Sequence, residues 1–130
     1  MSQDFFGIGT DLVEVERMAR STERPHFVAD VFGPNERAYC EAKKKPAEHF
    51  AARFAAKEAF LKALGRGIFD GIRLKDIETV NAPNGKPELR LGPTAQKALR
   101  DAGGGAALQT FVTLTHVQSM ASATVVVRAP

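Results

Sequence analysis

A single cysteine, Cys40, stands among 130 residues, and one thiol excludes an internal disulfide. That fits a reducing compartment. No apolar run approaches the roughly 20 residues that cross a bilayer, so no membrane partner is expected. The first residues, Met1-Ser2-Gln3-Asp4, put no basic stretch ahead of an apolar segment. They do not read as a signal peptide, and a cytoplasmic location is expected. Charge of one sign is scarce as well. Residues 1–65 hold ten Lys/Arg and ten Asp/Glu, and residues 66–130 hold eight and five, for a net charge of +3. An excess spread this thinly makes no basic stripe, so no nucleic acid is expected as partner. An acidic partner or a phosphorylated ligand stays compatible with it. Repeats, coiled-coil heptads and linkers are absent, which leaves a single domain over residues 1–130. A chain of this length buries roughly two thirds of the surface it exposes unfolded, enough for one core without staples.

What is present reads as α+β, a mostly antiparallel sheet packed against one long helix. Phe5 to Val13 alternates as a strand, with Phe6, Ile8, Thr10 and Leu12 on one face and Gly7, Gly9 and Asp11 on the other. Two glycines on one strand face are costly unless something approaches the backbone closely. Glu14 to Arg20 reads as a short helix, and Pro25 interrupts it or begins a turn. Phe27 to Phe32 is apolar and ambiguous. Pro34 can open a helix running to about Lys43, followed by a basic loop, Lys43-Lys44-Lys45-Pro46. Ala47 to Leu64 is rich in alanine, lacks internal Gly or Pro, and meets Gly65 in the stop position. Ile72 to Val80 reads as a strand leading through an Asn84-Gly85 hairpin, longer than two residues, to Glu88–Leu91. Pro93 to Ala102 reads as a helix, and Thr110–His116 and Ala121–Arg128 as strands.

Around the long helix, at 100° per residue with Phe54 at zero, Phe50, Leu61 and Leu64 fall at about −40°, −20° and −80°. That stripe is expected to be the buried face. Glu58 falls at about +40° and Lys62 at about +80°. A carboxylate at the edge of an apolar face must be paired, protonated or metal-bound. Singly, each residue also has an ordinary reading. Glu58 and Lys62 suit a helical i,i+4 bridge, Asp11 suits a helix cap, and His116 suits a core or edge-strand histidine. The three lysines suit a solvated loop.

In order, the chain gives Gly7-Ile8-Gly9-Thr10-Asp11, then Glu14 and Arg17. It continues with Arg53-Phe54-Ala55-Ala56-Lys57-Glu58-Ala59-Phe60-Leu61-Lys62-Ala63-Leu64-Gly65, Asn84-Gly85-Lys86-Pro87, and Leu114-Thr115-His116. This series resembles the holo-acyl-carrier-protein synthase type of phosphopantetheinyl transferase over nearly the whole chain. The resemblance implies transfer of phosphopantetheine from coenzyme A to a serine of an apo acyl-carrier protein. It implies magnesium held by Asp11 and Glu58, since that ion accepts one or two carboxylates, waters and substrate phosphates. It implies Lys62 at the coenzyme pyrophosphate. Lys44, Lys45, Arg53 and Gly65 join it as coenzyme-binding residues, with His116 near the 3′-phosphate. Thr113 and Leu114 stand where the family commonly carries a serine.

The resemblance further implies a homotrimer whose active sites lie between subunits, the His motif of one chain meeting the Asp strand of the next. An acidic carrier protein would dock on Arg17, extended by Met18, Arg20, Arg24 and Phe27. Glu58, directly or through a metal-bound water, is the candidate general base. Two other readings compete. A metal-dependent nuclease usually sets its Glu and Lys two residues apart on a strand, not four apart on a helix. A non-catalytic carrier-binding module would not need both carboxylates.

Overall fold

The computed structural model describes residues 5–67 and 70–130. The amino-terminal reading on Met1–Asp4 lies outside the described residues. The order is β1 (Phe6–Glu14), α1 (Val15–Ser21), α2 (Pro25–Val31), α3 (Pro34–Glu41), α4 (Pro46–Leu64), β2 (Ile77–Asn81), β3 (Pro87–Leu91), α5 (Pro93–Ala102), β4 (Gln109–His116) and β5 (Met120–Arg128). Among the described residues all strand pairs are antiparallel, but they form two sheets, β1-β5-β4 and β2-β3. No described helix is long and apolar enough to cross a membrane.

Helix α4 crosses the three-stranded sheet and is ended by Gly65 at φ 67°, the left-handed stop its position predicts. The expected single buried stripe is a correction. Ala51, Ala52, Ala55, Ala56, Ala59 and Ala63 are buried along with Phe50, Phe60 and Leu61, so most of the helix circumference is covered. Alanines let neighbours close in on several sides, and hydrophobic periodicity registers only the large side chains.

Two local readings are also revised, and the close approach expected at the two glycines is found. Pro25 begins a helix, so Phe27–Phe32 falls largely within α2. The strand expected over Ile72–Val80 is shorter, because Leu74–Asp76 forms a 3₁₀ turn before β2 starts at Ile77. Finally, the glycine face of β1 is the buried one. A Cβ on Gly7 would stand 2.0 Å from Ala63 O, and one on Gly9 2.0 Å from Ala59 O. The close approach that two glycines demand is therefore α4, backbone against strand. Phe6, Ile8 and Leu12 face outward and are 61–64% exposed.

Candidate active site

Asp11 follows Gly7 and Gly9 on the buried face of β1, so the glycine contact carries it directly beside α4. Its side chain is 19% exposed, and Lys62 Nζ lies 3.0 Å from its Oδ1 and 3.0 Å from Thr10 O. Lys62 thus reaches across to β1 and does not bridge back along the helix to Glu58. Asp11 caps nothing either, because α1 begins after Glu14 without a side-chain cap. Glu58 shares a cleft of about 530 Å³ with Asp11. Burial raises the Glu58 pKa above the ordinary carboxylate value and the Asp11 charge raises it further, while Lys62 pulls it back.

Two carboxylates lining one cleft, with the Asp11 charge disfavouring that of Glu58, fit a hard cation. Among the described residues, no group of three or more His, Cys, Asp or Glu is placed to hold a metal. A two-carboxylate set suits magnesium, which keeps several waters and takes phosphate oxygens, better than zinc, which needs three or four protein ligands.

Arg17, Arg24 and Phe27 line the same cleft, and the Arg24 guanidinium sits 5.5 Å from the Phe27 ring centre. Met18 reaches the cleft too but is only 4% exposed, so it packs the core more than it offers a surface. Arg20 does not line the cleft; it is exposed and pairs with Glu16 at 3.5 Å.

The remaining predicted residues gather elsewhere. Arg53 and Glu58 are five residues apart on α4 and so point about 140° apart around it. Arg53 is 2% exposed. Its Nη2 donates to Asn81 Oδ1 at 2.9 Å, its guanidinium lies 4.1 Å from the Tyr39 ring centre, and its buried Nε finds no partner among the described residues. Lys43 stands 4.5 Å from the same ring. His116, at the end of β4, lines this second cleft, of about 210 Å³, with Tyr39, His49, Arg53, Asn81 and Pro87. Its Nδ1 lies 3.2 Å from Glu48 Oε1. Glu48 and Glu58 are ten residues apart on α4, about 15 Å along the axis. Lys44, Lys45 and Gly65 are exposed, the lysines in the loop before α4 and the glycine at its end. One chain therefore does not bring His116 to Asp11.

Sequence reading missed the aromatic members of the second cleft, Tyr39 and His49, and Asn81 with them. None stands in a motif, and only the fold brings them together. It also missed Lys57, which is fully buried with Glu36. A signal for Lys57 was available, since it falls at about −60°, inside the apolar stripe.

The pattern of the 4'-phosphopantetheinyl transferase superfamily matches residues 7–112. The chain belongs to that superfamily and is an enzyme of the transferase class. Within it, a holo-[acyl-carrier-protein] synthase of Geobacter sp. (strain M21) is 46% identical over 123 residues, 93% of this chain and 96% of the relative. Among solved structures, the Chronobacterium ammoniagenes ACPS-CoA complex aligns with TM-score 0.82 and 27% identity, covering 96% of this chain and 98% of that one. The holo-[acyl-carrier-protein] synthase of Neisseria meningitidis aligns with TM-score 0.81 and 32% identity, covering 93% and 96%.

Proposed function

We propose that this chain transfers the 4'-phosphopantetheine group of coenzyme A to a serine of an apo acyl-carrier protein, with magnesium, releasing adenosine 3',5'-bisphosphate. The observation that carries the proposal is the cleft lined by both Asp11 and Glu58, with Lys62 paired to Asp11 and with Arg17 and Arg24 along the same lining. Relatives named for the same reaction support it, as does a coenzyme-bound neighbour of the same fold.

Asp11 and Glu58 would hold the magnesium. When bound, the ion neutralises charge on the phosphoryl oxygens, the main need of such a transfer. Lys62 adds a compact positive charge where the pyrophosphate would lie. As the serine oxygen bonds to phosphorus, the bond to the adenosine bisphosphate breaks and the serine proton must leave. Glu58, directly or through water, is the candidate to accept it. Arg17 and Arg24 would meet the acidic carrier protein, with Arg20 at the rim and Met18 beneath.

We place the coenzyme's 3'-phosphate on the second cleft, at Arg53 and His116 with Lys44 and Lys45 as further contacts, and its pyrophosphate at Lys62, with Gly65 at that same end of α4. That cleft opens on another side of α4, so the reading requires a neighbouring chain, and a homotrimer meets the requirement. The outer face of β1-β5-β4 supports such assembly. It presents Phe6, Ile8, Leu12 and Phe111, all 42% exposed or more, in a cluster of a kind that marks interfaces.

The test is direct. With magnesium and coenzyme A, the chain should add the mass of phosphopantetheine to an apo carrier, and a chelator in excess should stop it. Full activity in the chelator would remove the metal assignment. No mass gain on any carrier would favour a binding module that keeps the fold without the reaction.

A further inference from the structure

The second cleft holds a carboxylate and a second imidazole that the reading above leaves without a role. Glu48, in the first turn of α4, stands 3.2 Å from His116 Nδ1. His49 sets its ring 5.1 Å from that of His116, inclined at 66°, and 5.8 Å from Tyr39. The titratable and charged groups around His116 are thus Glu48, His49 and Arg53 from α4, Tyr39 from α3, and Lys43 just beyond it. From the strands, Asn81, Pro87 and Leu114 complete the lining and do not titrate.

An ionised carboxylate only accepts hydrogen bonds, so the imidazole nitrogen facing it carries the proton. In a neutral ring the other nitrogen, Nε2, is then a lone pair. A phosphate monoester dianion is an acceptor as well and cannot bind there. The two meet only if a proton is taken up between them, and the Glu48 carboxylate beside the ring favours it on Nε2, which makes the ring an imidazolium between two anions.

We propose that Glu48 is a positioning residue that commits His116 to take up a proton as the coenzyme's phosphate docks. The inference rests on the reading of this cleft as the coenzyme phosphate site. The proton comes from solvent and sits on His116 Nε2, and the carboxylate stays ionised. His49 is not its destination. Burial lowers the His49 pKa, and His116, Arg53 and Lys43 lower it further against a smaller opposing effect of Glu48. Its ring braces His116 edge-on.

The test is calorimetry of coenzyme A binding to the full chain with magnesium, at about pH 8, above the ordinary ranges of imidazole and of a phosphate monoester. Repeating it in buffers of different ionisation enthalpy counts the protons. The intact chain should take up about one proton per coenzyme, and the 3'-dephospho form should bind with none. Glu48→Gln should still bind, about three- to tenfold more weakly, with uptake near zero. A glutamine amide can donate to Nδ1 and leave the neutral ring donating from Nε2. His116→Gln should show no uptake, and His49→Phe should keep it. Zero uptake by the intact chain overturns the inference, as does an unchanged count in Glu48→Gln or His116→Gln. Those results leave the coenzyme reading standing. Failure of the intact chain to bind any form of the coenzyme removes that reading, and this one with it.

Discussion

Lys57 donates to Glu36 Oε1 at 2.5 Å, with both side chains fully buried. Lys57 also reaches Leu74 O at 3.1 Å and Ile77 O at 2.6 Å, while Glu36 Oε2 accepts from Thr79 N at 2.9 Å. A partner carboxylate, Glu78, accepts from Glu36 N at 2.9 Å at the start of α3. This network ties α3, β2 and α4 together, the elements that supply Tyr39, Asn81 and Arg53. Burial raises the Glu36 pKa and lowers that of Lys57, each opposed by the other's charge. Lys57→Met leaves a buried carboxylate without its counter-ion and should cost about 3–5 kcal/mol in chemical denaturation. Adding Glu36→Gln removes both charges and keeps an acceptor for Thr79, so the double variant should regain at least half of the loss. A double variant less stable than the single would refute the pairing argument.

Gly9 has no room for a methyl group. An added Cβ meets Ala59 O at 2.0 Å and Ala63 N at 2.7 Å, both backbone atoms that cannot swing aside. Gly9→Ala should therefore destabilise the chain by about 2 kcal/mol or more and displace Asp11. Transfer activity should fall further than stability alone explains. Activity per folded molecule equal to that of the intact chain would count against a role for this contact in placing Asp11.

Glu58 carries a charge that the metal-free fold resists. Its folded pKa is raised, so the folded state binds the extra proton more readily than the unfolded chain. Stability of the metal-free protein should then fall as pH rises from the ordinary carboxylate range through that raised value. Glu58→Gln should flatten this slope and raise Tm at pH 8 by about 1–3 °C, with transfer activity lost. Magnesium affinity of the intact chain should weaken on acidification through the same window. Titration calorimetry and thermal melts across pH 5–8 check both statements. A steeper slope in the variant contradicts them.

The two-cleft arrangement predicts complementation. Asp11→Ala and His116→Ala chains should each be nearly inactive alone, since every shared site lacks one half. Chains mixed by unfolding and refolding together should regain part of the activity, because some sites then pair an intact Asp11 with an intact His116 from another chain. Ile8→Arg on the outer face of β1 should reduce the assembly to monomers by light scattering, keep the circular dichroism, and abolish transfer. No regain in any mixture would place the site within one chain.

The sequence made much of this visible, for definite reasons. Gly65, Pro34 and Pro93 punctuate helices where their backbone preferences dictate. Gly7 and Gly9 announced a close neighbour before that neighbour was known. Asp11, Glu58 and Lys62 were legible because one strand face and one helix edge carry them at readable spacing. Arg53 and His116 were legible as motif members, and five residues of helix already set Arg53 about 140° from Glu58. What was not legible is how far α4 is wrapped, because the alanines that permit wrapping leave little periodic trace. The Glu36–Lys57 pair and the Tyr39–His49–His116 cluster join residues far apart in sequence, and no local pattern reports such contacts.

The two faces of β1 also fix its alignment with β5. A slip of one residue would turn Phe6 and Ile8 toward α4, where the space rejects even a methyl group. It would turn Asp11 outward to solvent. The strand therefore has one register available to it, and the carboxylate at its centre has one address. A one-residue slip of β1 is thus rejected by shape alone, with no metal or coenzyme needed to select the register.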